Sequence, residues 1–258
     1  MKKLLFQSSV LMLQIALSGC GGSKVLKEPE PRVVTQSLAT ASDQRLAATL
    51  DWVIVRDGPG TWAKNVDWDE YLIRVQNLSD EPIRVTNVAV LDSLGTRIEI
   101  GGSRRQLIDG TKETTRRYTD EGLKVEAGVG GGTIAVAGVA VFAASGAVAM
   151  SALAGSATAL GAAGAAAAAA VIMAPALIVG GIVRVMNNSA VNKHIESQQT
   201  LLPAVLLAGQ GQNLDLFFPL APSPRQLQFT YVDSQGEHTL SVDTRAVLDG
   251  LHLTQAVE

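Results

Sequence analysis

The sequence predicts a mainly β protein: a sandwich of two sheets interrupted by an Ala/Gly-rich α-helical hairpin. Three observations predict it. Short apolar runs with period-two alternation stand on both sides of a central tract. The tract, residues 127–183, is built almost wholly of Ala, Gly and Val and contains no Asp, Glu, Lys or Arg. Neither flank has enough strands to bury two sheet faces alone. The flanks, residues 46–100 and 195–254, therefore read as one discontinuous domain of roughly 115 residues, close to the size of a single sandwich. A long loop adds little closure entropy, so a folded hairpin can sit between neighbouring strands.

The bulk numbers exclude several classes. Of 258 residues, 47% are hydrophobic but only 4% aromatic and 17% charged. The missing bulk lies in the tract, so the rest of the chain has an ordinary globular balance. A formal net charge of -3 offers no basic stripe for nucleic acid. The single cysteine, Cys20, excludes an internal disulfide.

Residues 1–19 have the order of a signal peptide: Met1-Lys2-Lys3 is positive, and residues 4–17 are apolar but too short to span a bilayer. The segment ends in Leu17-Ser18-Gly19-Cys20. These residues resemble the bacterial lipobox, in which small residues ahead of a cysteine fit the lipoprotein signal peptidase. The resemblance implies recognition through Leu17, Ser18 and Gly19, lipidation of Cys20, and a mature chain that begins at Cys20. Two or more acyl chains hold a protein stably on a membrane. Gly21 stands where aspartate often signals inner-membrane retention in Gram-negative lipoproteins. The resemblance thus implies the periplasmic face of the outer membrane. Residues 20–45 are expected to form a linker holding the domain off the membrane, with Glu28-Pro29-Glu30-Pro31 extended.

In the first flank, Tyr71, Ile73 and Val75 alternate with Leu72, Arg74 and Gln76. Ile83 and Val85 alternate next, whereas Val88 and Val90 fall on the opposite parity; that slip near Asn87 predicts a bulge or a strand break. Asp92-Ser93-Leu94-Gly95 reads as a hairpin turn. The run from Tyr71 to Gly95, with Asn77-Leu78-Ser79-Asp80 closing one strand and Asp92-Ser93-Leu94-Gly95 the next, resembles small immunoglobulin-like domains of bacterial surface lipoproteins. The resemblance implies a fold and no activity. Residues 101–126 are expected to be a polar connector. Its mixed charges suit a solvated segment; Arg104, Arg105, Lys112, Arg116, Arg117 and Lys124 also suit a basic collar against lipid phosphates.

Within the insertion, residues 127–185, the sequence predicts one helix over 134–150 and another over 162–183, with the turn at Gly155-Ser156-Ala157-Thr158. Ala143, Ala147 and Ser151 recur at every fourth position, as do Ala159, Ala163 and Ala167; small residues so spaced let helices pack closely. The arrangement resembles glycine-zipper proteins. About 57 uncharged residues exceed the ~20 needed for one membrane span, which favours insertion into a bilayer. Ala and Gly contribute weakly to insertion, which leaves packing against copies of the chain or a partner as the competing reading. Gly128-x-Gly130 is followed by Thr133 where a dinucleotide fingerprint needs glycine, so no nucleotide site is expected.

The second flank repeats the β pattern. The run from Thr200 to Leu207 contains Pro203 and suits an edge strand. Leu214, Leu216 and Phe218 alternate, as do Leu227, Phe229 and Tyr231, and Asp233-Ser234-Gln235-Gly236 turns a hairpin.

Chemistry-bearing residues are sparse. His194, His238 and His252 have no metal-ligand spacing; His238 and His252 are expected to face solvent. No serine sits in a Gly-x-Ser-x-Gly elbow. Asp67, Asp69 and Glu70 around Trp68 read as a solvated loop, with cation binding as the alternative, and Trp52, Trp62 and Trp68 as sandwich core or rim. The sequence thus predicts no catalytic residue, metal or cofactor. Its expected role is that of a lipid-anchored cell-envelope protein, structural or interacting, with the sandwich as binding module. Expected partners are membrane lipid through Cys20, a second copy through the hairpin and an unidentified protein, with no nucleic acid. The alternative is a membrane-perturbing or pore-forming protein acting through the hairpin.

Overall fold

Side-chain alternation on the long strands sets the architecture. The computed structural model describes residues 24–26, 36–128, 134–136, 139–141 and 188–254. The chain begins with β1 (Lys24–Val25), β2 (Ala39–Ser42), β3 (Leu46–Ile54), β4 (Ala63–Lys64) and β5 (Trp68–Asn77). Next come β6 (Ile83–Leu91), β7 (Arg97–Glu99), helix α1 (Arg104–Asp120) and β8 (Lys124–Val125). A short antiparallel pair follows, β9 (Ile134–Val136) and β10 (Val139–Val141). Beyond the tract lie α2 (Asn188–Gln198), β11 (Ala204–Leu206), β12 (Gly211–Pro219), β13 (Gln226–Asp233), β14 (Gly236–Asp243), α3 (Arg245–Leu248) and β15 (Leu253–Thr254).

The protein is mainly β, and its sheets are antiparallel. One sheet has the order β12-β5-β3-β2; the other has β11-β6-β13-β14, with β7 also on β6. Strands from both sides of the tract interleave: β12 pairs along the whole of β5, and β13 along β6. On β5, Asp69, Tyr71, Ile73, Val75 and Asn77 are buried while Arg74 and Gln76 are exposed, as period two requires. Leu50, Tyr71, Ile73 and Phe218 of the first sheet share one buried cluster with Val88, Phe229 and Val242 of the second. The parity slip near Asn87 is a bulge: Thr230 pairs with Asn87, Tyr231 pairs with Val85, and Thr86 is the extra residue. Thr86 Oγ1 donates to the Thr230 carbonyl at 3.1 Å.

Three expectations fail. Residues 101–126 are no mere polar connector, because α1 occupies 17 of them. Ser103 caps the helix by accepting from the Gln106 N–H, and Gln106 Oε1 accepts from the Gly102 N–H. Its buried stripe, Leu107, Thr111, Thr114 and Tyr118, has helical spacing but only one aliphatic member. Residues 20–45 are not a free linker: β1 pairs with β4, and β2 with β3. Residues 134–136 and 139–141 are strands rather than the start of a helix. Ile and Val at 134, 136, 139 and 141 favour extended backbone over the helical preference of the intervening alanines.

A second buried cluster lies outside the shared core. It joins Trp62, Ala63, Val66, Trp68 and Phe217 to Leu107 of α1 and to Val191 and Ile195 of α2, with Val25 of β1 packed against it. Gly110 allows α1 to approach β12: a Cβ there would lie 2.5 Å from Pro219 Cγ. Among the described residues, no helix is long and apolar enough to cross a membrane.

Candidate functional site

The core-facing stripe of β5 carries a buried polar residue at each end, Asp69 and Asn77. At the first end Asp69 and His252 are both fully buried. His252 Nε2 lies 2.7 Å from Asp69 Oδ2, and Nδ1 lies 3.1 Å from the Glu126 carbonyl. A carbonyl only accepts, so Nδ1 carries a proton, and Nε2 and Asp69 share a second one. The Glu126 N–H donates back to the His252 carbonyl at 3.0 Å, continuing the short β8–β15 pairing. His252 reaches this place through a left-handed backbone, φ 62°. This arrangement corrects the expected outward-facing His252, since period-two alternation does not govern a left-handed residue. It also corrects the solvated-loop reading of Asp69 and Glu70, both of which lie buried within β5. Glu70 Oε2 accepts from Trp62 Nε1 at 2.6 Å. Trp52, Trp62 and Trp68 are all buried, as core or rim residues should be.

The Asp69–His252 pair has the residue types of a catalytic dyad but not its access. Both ring nitrogens are engaged, and neither side chain reaches solvent, so no nitrogen is free to take a proton from a substrate. Tyr71, next on the same face, is a neutral phenol: burial, and then the charge of Asp69, push its hydroxyl well above the usual tyrosine range. Its ring packs edge-on against Phe218, with centroids 5.1 Å apart. The chemical role open to the pair is structural. It fastens Glu126, at the entry to the Ala/Gly tract, to the first sheet.

An open groove of about 740 Å³ runs beside this end along α1. Thr111, Thr115 and Thr119 line it, together with Arg56, Lys112 and Arg116 and the acids Asp67, Asp120 and Glu126. Thr111 Oγ1 donates to the Asp67 carbonyl at 2.5 Å and accepts from the Leu220 N–H at 2.9 Å. Three cations against three carboxylates leave the groove without a preference for either sign of ligand charge.

At the other end, the Asn77 side-chain amide donates to the carbonyls of Glu81, Leu206 and Leu207 at 2.8, 3.1 and 3.1 Å. Its oxygen accepts from the N–H and hydroxyl of Ser79. Nearby, Arg45 pairs with Glu81 at 2.8 Å and also with Asp233. Burial acts to raise the Asp43 carboxyl, but hydrogen bonds from the Leu46 and Arg45 N–H groups and from the Tyr231 hydroxyl hold it below the usual range. Asp233 is likewise held down, against its burial, by the Gln235 N–H, by His238 and by Arg45. His238 is part-buried rather than free in solvent: it lies 3.1 Å from Asp233 and stacks on Tyr231.

Several sequence-derived sites fall outside the described residues: Leu17, Ser18, Gly19 and Cys20, and the helix-packing positions Ala143, Ala147, Ser151, Ala159, Ala163 and Ala167. Among the described residues, no three His, Cys, Asp or Glu side chains converge to hold a metal ion. The Asp69–His252–Glu126 assembly escaped sequence reasoning. Its one local signal was a pair of acids, Asp69 and Glu70, inside a strand-forming run.

No family model matches the chain, and no curated protein matches it. Among solved structures, the chain is similar to a crystal structure of a protein from Bacillus subtilis that is provisionally described as a lipoprotein (ycdA). The match has 9% identity and a TM-score of 0.30, and covers 83% of this chain but only 41% of the other. At that score it carries no argument about fold or function.

Proposed function

We propose that this chain is a lipid-anchored cell-envelope protein, without catalytic activity, whose β domain binds a partner. The observation that carries the reading is Leu17-Ser18-Gly19-Cys20, standing in register behind a positive start and an apolar stretch. Cys20 receives the lipid after recognition of Leu17, Ser18 and Gly19, and Gly21 points to the outer membrane, facing the periplasm. The strand order supports an immunoglobulin-like sandwich as the binding module. β3, β5 and β12 stand where strands A, B and E stand in that fold, and β6, β13 and β14 where C, F and G stand. The Ala/Gly tract serves membrane association or self-association, its residues beyond β10 forming a small-residue helical hairpin through Ala143, Ala147, Ser151, Ala159, Ala163 and Ala167. No cofactor is invoked, and nucleic acid is not a partner.

Radiolabelled-lipid incorporation with membrane fractionation of wild type and Cys20→Ala tests the reading. The expected result is label in wild type and none in the variant; label-free wild type overturns the anchor. A second reading, membrane perturbation by the tract, is favoured by its charge-free length. Dye release from liposomes, compared between the full chain and a chain lacking residues 127–183, decides it. Equal release from both would end that reading.

A further inference from the structure

We infer that the end of the β domain bearing Trp68 lies directly against the surface of a phospholipid bilayer. The inference rests on lipidation of Cys20 and adds an orientation to it. Three residues separate Cys20 from Lys24, four steps along the chain and a reach of at most ~14 Å even when fully extended. Lys24 is no longer linker, because β1 is paired with β4 and the Leu26 N–H donates to the Trp62 carbonyl at 2.7 Å. Val25 packs on the cluster around Trp62 and Trp68. A lipid on Cys20 therefore draws this one face to the headgroups, whatever the conformation of the residues between.

Independent features of the same face agree. Helix α2, the first described element after the apolar tract, buries Val191 and Ile195 in the same cluster. Residues 24–26, 62–66 and 188–195 carry Lys24, Lys64 and Lys193, of which Lys64 and Lys193 are exposed, with the acids Asp67 and Glu196 next in the chain. The β1–β4 register sets Lys24 opposite Lys64. Exposed lysines are drawn to a layer of anionic phosphates. The partner is thus a bilayer surface containing anionic lipid. The opposite end, at Asn77, stands roughly 30 Å away along the ten residues of β5.

The test uses the full acylated chain in vesicles of phosphatidylcholine and phosphatidylglycerol. Because Cys20 is the one cysteine and its thiol is blocked by lipid, an introduced cysteine takes a fluorophore selectively. Ser189→Cys and Asn192→Cys report the Trp68 end; Asp80→Cys and Gln235→Cys report the Asn77 end. All four positions are exposed. With nitroxide on the lipid headgroups, quenching is expected to be severalfold stronger at 189 and 192 than at 80 and 235. Equal quenching at both ends, or stronger quenching at 80 and 235, from protein whose mass shows the lipid on Cys20, overturns the orientation alone. A mass without lipid overturns the anchor and the orientation together.

Discussion

The two ends of β5 solve one problem in different ways. Each places a polar side chain at the limit of an apolar stripe, where the chain must be closed off. At Asn77 the group is a neutral amide that gathers carbonyls from the following turn and from the end of β11. At Asp69 it is an ionisable group joined to a histidine 183 residues away. An amide with satisfied donors tolerates burial at little cost, whereas a buried charge is stable only while its partner stays in place. The Asn77 end is thus a robust closure, and the Asp69 end a conditional one, set where the Ala/Gly tract enters.

The largest expected effect tests this contrast directly. Asp69→Ala leaves His252 buried without its partner and should cost about 3–5 kcal/mol in urea unfolding. A double-mutant cycle with His252→Ala should show strong coupling; additive losses would mean that the pair is incidental. Asn77→Ala leaves three carbonyls short of a donor and should cost less, about 1–3 kcal/mol. If the two losses are equal, the distinction between the ends fails.

A smaller effect is expected for Gly110→Ala. Helix propensity favours alanine by about 1 kcal/mol, yet the new methyl meets the Pro219 ring, so a net loss of about 1–2 kcal/mol should appear in thermal unfolding. A gain in stability would show that α1 is free to move off β12. The smallest effect concerns acid. Asp43 and Asp233, both near Asn77, have folded values below the ordinary 3.8. Their stabilisation is fully present above that value and is lost as pH falls through the lower folded values. Unfolding curves between pH 5 and pH 2 should steepen below about pH 4. The steepening should shrink in Asp43→Asn, and an unchanged profile would remove Asp43 from the account.

What could be read from the sequence, and what could not, follows from range. Tyr71, Ile73 and Val75 announce their strand because period two is local, and the slip near Asn87 announces its bulge for the same reason. Helix α1 stayed hidden because its buried face uses Thr111, Thr114 and Tyr118, whose hydroxyls are satisfied by partners such as the Asp67 and Pro222 carbonyls. No hydropathy pattern encodes such partners. His252 was misread because its side-chain direction depends on a left-handed turn and on a carboxylate supplied by another strand. Lys24–Val25 was misread because two residues are too few to show a period.

The distance in sequence between Asp69 and His252 also has a consequence in time. A ribosome adding roughly 5–20 residues per second needs about 10–40 seconds to travel from one to the other. During that interval β5 has neither β12 beside it nor a histidine at its end, while the whole Ala/Gly tract has already been made. The Ala/Gly tract is thus synthesised in full before the strands that complete the β domain exist.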